Sequence, residues 1–250
     1  GVKYGYEASY DWLWLMDDDA APEPDALEKL SQYLNQPDVS ALANLKIDLA
    51  GDILHSHLGF FDRQNGRNDF DFDIEIHRKV EKKLIENNQI LEIAFSSFVG
   101  LIVNKKTIEQ VGLPDRRFFI RGDDLEYCLR LGTAGKILLV TDSIIVHKEA
   151  ADQTEVMKKF LGKASYRNKY NRIWLTYFET RNAIWLRKKY ASKTKFYLRT
   201  FKYYCRSFLA ILLFDDRKCK RLRFLTEAYQ DGFKGHFDNS KTKLLYEKKF

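Results

Sequence analysis

The sequence predicts an α/β fold, a mixed sheet flanked by helices and followed by a basic helical extension. Three observations carry that expectation. Trp12-Leu13-Trp14-Leu15-Met16 is an unbroken run of large apolar residues, as in a strand buried on both faces, and it stops abruptly at Asp17, Asp18 and Asp19. Further apolar runs alternate with stretches of helical periodicity as far as His147. Charge then divides the chain. Residues 1–150 carry 17 Lys and Arg against 26 Asp and Glu, a net −9, whereas residues 151–250 carry 25 against 9, a net +16. An acidic domain over 1–150 and a basic helical region over 151–250 follow. The 250 residues suffice for one large core with an appendage. Cys128, Cys205 and Cys219 have neither metal-type spacing nor an even number, which fits a reducing compartment.

Gly1 to Ser9 read as the end of a helix leading into the first strand. That strand has the composition of a central one, so strands that should precede Gly1 are expected to be missing from the text. Pro24 and Asp25 open a helix through Leu27, Leu30 and Leu34 that stops at Pro37. Val39 to Ile47 is a strand, and residues 48–59 suit a hairpin around Ala50-Gly51-Asp52. His55 and His57 share one face of it; without other ligands at useful spacing they read as surface histidines. Residues 60–90 alternate acidic with apolar groups and then turn basic, as in an exposed insertion. Ile90 to Asn104 is sheet-like around Ser96-Ser97-Phe98-Val99-Gly100, where small residues suggest a close approach of other groups. Lys105 to Val111 is a short helix closed by Gly112. Phe118-Phe119-Ile120-Arg121-Gly122 then runs into Asp123, Asp124 and Glu126 at the start of a helix. A final buried strand, Lys136 to His147, delivers a histidine at its end.

The two acid clusters are the chemical signal. Alternate residues of an extended stretch point the same way, so Asp17 and Asp19 converge while Asp18 points elsewhere. Hard oxygen ligands at the C-terminal edge of an α/β sheet suit Mg2+ or Mn2+ shared with a diphosphate. One carboxylate at a helix start is an ordinary cap. Asp123, Asp124 and Glu126 together exceed what a cap needs.

In order, these blocks resemble the family 2 glycosyltransferases, in the branch that includes bacterial rhamnosyltransferases and galactofuranosyltransferases. The matching residues are Tyr10 to Asp19 with Pro24-Asp25-Ala26-Leu27, Phe98-Val99-Gly100, Val111 to Asp115, Phe118-Phe119-Ile120, Gly122 to Tyr127 with Arg130, and His147. The likeness covers about residues 1–150 and extends loosely through Tyr177 to Asn182. It implies a GT-A type nucleotide-sugar-binding mixed sheet with a basic α-helical C-terminal extension. By the same resemblance Asp17, Asp19 and His147 are ligands of Mn2+ or Mg2+. Asp18, Phe98 and Gly100 lie at the donor, a UDP or dTDP sugar of rhamnose or galactofuranose type. Asp124 is the general base of an inverting transfer to a glycan or lipid-linked acceptor, and Asp123, Glu126 and Arg121 bind that acceptor or orient the base. Many relatives carry a bulky residue where Gly122 stands, which implies a more open acceptor pocket here.

In the basic region, residues 166–190 read as one aromatic helix. From Lys193 to Phe214, Lys195, Arg199, Lys202 and Arg206 form a basic stripe opposite Phe196, Tyr197, Phe201, Tyr204 and Phe208. Such a helix suits an anionic membrane surface, and hence a cytoplasmic protein held at the inner face of the plasma membrane. The competing expectation is packing on the catalytic domain or a partner subunit, as in a homo-oligomer built through the C-terminal helices. A metal-dependent nucleotidyltransferase or nuclease is the alternative enzyme class. Its nucleic-acid partner is disfavoured because no groove-reading motif accompanies the basic residues.

Overall fold

The computed structural model describes residues 1–59, 85, 87–148, 155–190 and 193–239. Most of the expected insertion over residues 60–90, and the tail beyond residue 239, fall outside these. The chain forms two compact units. Among the described residues the first holds 1–59, 85, 87–115 and 124–148, and the second holds 116–123, 155–190 and 193–239. The second unit therefore draws a short segment from within the expected 1–150 domain as well as the residues after it.

The first unit is a mixed α/β layer structure. Helix α1 (Val2–Glu7) leads into β1 (Trp12–Leu15), β2 (Ala20–Pro22), α2 (Ala26–Ser31), β3 (Val39–Ile47) and β4 (Leu58–Gly59). Then come β5 (Ile90–Ile93), β6 (Phe95–Ser96), β7 (Leu101–Asn104), α3 (Lys105–Val111), α4 (Asp123–Ala134) and β8 (Lys136–His147). The main sheet has the order β1-β7-β3-β8-β2, with β5 also paired to β8. Strands β3 and β8 are parallel, whereas β7 is antiparallel to both β1 and β3. Hence β1, β3 and β8 all run the same way and end at one edge.

Side-chain alternation divides this sheet between two helical layers. Ala41, Ala43, Ile137 and Leu139 face Tyr127, Cys128 and Leu131 of α4. Leu42, Leu138 and Val140 face Leu30 of α2. Leu30, Leu42 and Leu131 are fully buried, and each such side chain contributes about 1.5–3 kcal/mol. Strand β1 lies at one end of the strand order, with Leu13 its one buried residue, and its outer edge pairs with no strand among the described residues.

Polar groups are built into this core. Trp14 Nε1 donates to Asn44 Oδ1 at 3.0 Å, Asn44 Nδ2 to Ser143 Oγ at 2.6 Å, and Ser143 Oγ to the Ala26 carbonyl at 2.6 Å. Gly100 has φ +70° and leaves no room for a side chain, since a Cβ would lie 2.3 Å from Ile145 Cδ1. Its N–H reaches the Leu15 carbonyl at 2.8 Å and its carbonyl accepts from Asn44 N at 3.0 Å, which joins β1 to β3. Lys46, in the middle of the sheet, is fully buried and donates from Nζ to Ser96 Oγ.

The second unit opens with a hairpin of β9 (Glu155–Phe160) and β10 (Lys163–Asn168). Leu161 at φ 44° and Gly162 at φ 75° make its two-residue turn, the left-handed pair that matches strand twist. This corrects the expected helical start at Tyr166, which lies on β10. Helices α5 (Ile173–Tyr190), α6 (Lys193–Phe214) and α7 (Lys218–Lys234) follow. Gly232 lets α7 approach α5 closely, because a Cβ there would sit 2.7 Å from the Arg181 carbonyl. Ile184, Phe196, Ile211, Leu225 and Tyr229 form the core between the three helices. Asp215 is buried against Arg167 at 2.6 Å, with Arg221 at 3.8 Å and Asp216 closing the cluster on Arg221 at 2.7 Å. Among the described residues no helix is long and apolar enough to cross a membrane.

Lys46 generates a stability prediction. Burial pushes its amine down to about 7, and the nearby Cys128 and Asp124 offset that only in part. Below about pH 7 both folded and unfolded chains hold the proton, and the folded state bears the full cost of a buried charge. Between about 7 and the ordinary 10.5 the unfolded chain holds the extra proton, so stability rises with pH across that window. Lys46→Met is therefore expected to raise stability at pH 7, by about 1–4 kcal/mol as for other buried charges replaced by apolar groups. That advantage shrinks towards pH 10. Urea unfolding of both proteins at pH 7 and pH 9.5 checks it; an equal difference at the two pH values contradicts the assignment.

Candidate functional site

The acidic residues after β1 are placed by pairing at the other end of the sheet. Strand β2 lies antiparallel to the end of β8, with Ala20 opposite His147. The Lys148 N–H donates to the Asp19 carbonyl at 2.9 Å, which fixes the backbone of Asp19 beside that histidine. As a result one ligand atom each from Asp17, Asp19 and His147 lie within 4.8 Å of one another. His147 is buried and its Nε2 lies 3.1 Å from Asp19 Oδ1, whereas the Asp19 side chain stays 45% exposed. The Asp17 carboxylate is exposed and has no hydrogen-bonding or ionic partner among the described residues. Asp17 to Ala20 form a turn, with the Ala20 N–H donating to the Asp17 carbonyl at 3.3 Å, and Asp18 within it is exposed and lies outside the cluster.

The chemistry of this donor set fits a divalent cation. Two carboxylates this close repel each other, and an exposed pair beside an imidazole supplies three ligands with positions left open for others. Mn2+ accepts both oxygen and imidazole donors. Mg2+ is served chiefly by the oxygens.

His57 belongs to this neighbourhood, which corrects its expected role as a surface side chain. It closes a 3-10 turn, His55–His57, and is half-buried. Its ring lies edge-to-face with that of His147, centroids 5.0 Å apart and planes at 81°. His57 Nδ1 is hydrogen-bonded to Ser97 Oγ at 2.8 Å, and the Ser97 N–H donates to the His57 carbonyl at 3.1 Å.

The second acid cluster begins α4, in the chain order that also returns the polypeptide to β8. Asp124 is half-buried, and its Oδ1 accepts from the Leu125 N–H at 2.7 Å. One turn later Cys128 Sγ donates to the Ser96 carbonyl at 3.2 Å, and Ser96 Oγ receives the Lys46 amine. The Ser96-Ser97 dipeptide thus touches α4 through Cys128 and His57 through Ser97. Glu126 is buried and holds Arg130 at 2.8–3.0 Å, while Arg130 in turn donates to the Val111 and Leu113 carbonyls at 2.6 and 3.1 Å. Its carboxylate is committed to seating α4 on the loop after α3.

The remaining predicted residues separate by unit. Phe98 packs edge-on against Tyr127, centroids 6.0 Å apart, and Gly100 ties β1 to β3 as described. Arg121 and Asp123 fall in the second unit. Asn182 Nδ2 donates there to the Ile120 and Arg121 carbonyls at 3.0 and 2.6 Å, with Arg121 in a left-handed conformation at φ 66°. Arg181 is fully buried, donates from Nε to Asn182 Oδ1 at 2.9 Å and stacks on Phe178 and Phe237. The Arg181-Asn182 pair therefore holds the segment that leads into the second acid cluster.

The sequence gives no sign of a role for Lys46, and it leaves Ser97 and His57 without the partners that the structure supplies. The available signal for the last two was the small-residue run at 96–97 and the His-x-His spacing, each ambiguous without the other.

No family model matches the chain. Among curated proteins, the galactofuranosyltransferase GlfT1 of Mycolicibacterium smegmatis is 26% identical to it over 140 residues. That alignment covers 54% of this chain and 43% of the relative, so the chain spans less than half the length of the curated protein it matches. The similarity is distant and partial, and the relationship it supports is to a glycosyltransferase.

Proposed function

We propose that the chain forms the catalytic part of an inverting, divalent-metal-dependent glycosyltransferase of family 2 and GT-A type. In this reading a hexose of rhamnose or galactofuranose type passes from a UDP or dTDP sugar to a hydroxyl of a cell-surface glycan or lipid-linked acceptor. The observation that carries the reading is the convergence of Asp17, Asp19 and His147 at the end of the parallel strands. The distant likeness to a galactofuranosyltransferase supports the sugar class.

Asp17, Asp19 and His147 hold the cation. When bound, Mn2+ or Mg2+ supplies compensation for the charge that gathers on the departing diphosphate. Asp18, in the turn between β1 and β2, is exposed where a donor ribose can reach it. The Asp124 carboxylate takes the proton of the acceptor hydroxyl as its oxygen attacks the anomeric carbon from the face opposite the diphosphate, so the configuration inverts. Glu126 keeps α4, and with it Asp124, in place through Arg130. Arg121 and Asp123 adjoin the base in sequence and serve the acceptor.

A nucleic-acid-directed nucleotidyltransferase or nuclease is less well supported. Arg167 and Arg221 of the second unit are spent on Asp215 and Asp216 instead of being presented to phosphates.

The outer face of α6 supports residence at an anionic membrane surface. Phe196, Tyr204, Phe208 and Ile211 pack inward, yet Tyr197, Leu198, Phe201, Leu209, Leu212 and Leu213 remain exposed, flanked by exposed Lys202 and Arg206. An apolar stripe with a cationic flank is the pattern of a helix lying in the headgroup region, here the inner face of the plasma membrane.

Two measurements test these readings. Asp124→Asn is expected to lower Mn2+-dependent turnover of a UDP or dTDP sugar by about 10²- to 10⁴-fold while leaving Mn2+ binding intact; undiminished turnover contradicts the base assignment. In vesicle flotation, wild type is expected to rise with phosphatidylserine vesicles and Phe201→Ser/Leu209→Ser to stay behind. Equal recovery of both removes the membrane reading, and a wild-type dimer that the same substitutions dissociate assigns the stripe to a second copy of the chain.

A further inference from the structure

An imidazole can orient a metal only if its ring rotation is fixed, and the histidine χ2 well is broad, so the chain must supply that constraint from outside the side chain. The contacts of His147 include Asp19 on Nε2, at 3.1 Å, and the ring of His57 packed nearly perpendicular to its own. His57 is itself held twice by one residue. Its Nδ1 is bonded to Ser97 Oγ, and its carbonyl accepts the Ser97 N–H. Ser97 is almost entirely buried, and the adjoining Ser96 is fully buried and paired with Leu58, the residue after His57, across β4 and β6. The 3-10 turn that carries His57 is thus stapled to the Ser96-Ser97 dipeptide from both sides.

A residue needed only to fill space here has no use for a ring nitrogen aimed at a buried hydroxyl. The bond to Ser97 fixes the His57 ring plane, and that plane fixes the one perpendicular to it.

We infer that His57 is a positioning residue for the Asp17, Asp19 and His147 site: clamped by Ser97, its ring sets the rotation of the His147 imidazole so that Nε2 faces the two carboxylates. This rests on the reading of those three residues as a cation site. Partners one step removed from a metal, when lost, typically cost 10- to 100-fold in metal affinity.

The test is a titration with Mn2+ alone, read from the electron paramagnetic resonance signal of free aqueous Mn2+, on the full chain and without any sugar donor. His57→Ala is expected to weaken Mn2+ binding by about 10- to 100-fold. His57→Phe, which restores a ring against His147, is expected to recover most of that loss. Ser97→Ala, which frees the His57 ring and leaves both histidines in place, is expected to fall between wild type and His57→Ala. Thermal unfolding of each variant identifies any that fails to fold, and Ser97→Ala then carries the test. If Asp17→Asn abolishes Mn2+ binding but His57→Ala and Ser97→Ala bind as wild type does, the inference is overturned and the cation site stands. A wild-type chain that binds no Mn2+ overturns both.

Discussion

The structure depends most on the register of β8. Its parallel pairing with β3 runs from Lys136 to Val146 and shifts between Asn44 and Leu45, while its last residues pair antiparallel with β2. The first pairing builds the centre of the core. The second sets Ala20 opposite His147, and therefore sets Asp19 beside it. A one-residue slip of β2 would turn the Asp19 side chain to the other face of the sheet, because strand side chains alternate with period two. The candidate site is in this sense a by-product of sheet register, which explains how the turn between β1 and β2 holds two exposed carboxylates beside a buried histidine 128 residues away from Asp19.

Placing a site at the end of this sheet is accompanied by polar groups inside it. Asn44 spans β1 and β8 through Trp14 and Ser143, and Ser143 reaches α2 at Ala26, so the two layers are joined by hydrogen bonds where aliphatic contacts would be the default. Such a network stabilises only when each member is satisfied. Lys46 is the costly member, since a fully buried amine receives in Ser96 a single neutral acceptor. Its partner Ser96 belongs to the same dipeptide that contacts Cys128 and His57.

The sequence is most legible where a signal is local. Val39–Ile47 and Lys105–Val111 are found at their expected bounds, the latter because Asn104 caps it through the Lys106 N–H and Gly112 ends it. The convergence of Asp17 with Asp19 is expected from alternation, and the structure reaches it by a turn between β1 and β2. Strand order is not local in this sense, because apolar composition records burial and not neighbours: β1 pairs with β7 and β3 with β8, strands far apart in the chain. The β9–β10 hairpin was hidden by polar strands bearing Lys158, Lys159, Ser165 and Arg167, and by a turn of Leu161-Gly162 in place of the usual Asn-Gly. His57 was hidden for a different reason. Its partners are 40 and 90 residues onward in the chain, and spacing arguments see only what lies within a turn or two.

Helix α6 shows how one periodic pattern can serve two surfaces. The sequence places its basic residues opposite its aromatic ones, as if it had one apolar face. In the folded unit the apolar residues divide, Phe196, Tyr204, Phe208 and Ile211 meeting Leu225 and Tyr229 while Phe201 and Leu209 remain exposed. Inward packing thus accounts for only part of the helix's hydrophobicity. The remainder is a stripe beside Lys202 and Arg206, and on a helix of 22 residues that is not apolar enough to cross a bilayer, such a stripe is suited to lying along one. Packing on α5 and α7 uses one part of the helix surface and leaves Phe201 and Leu209 to another, so the internal core of this unit does not by itself consume the apolar pattern of the sequence.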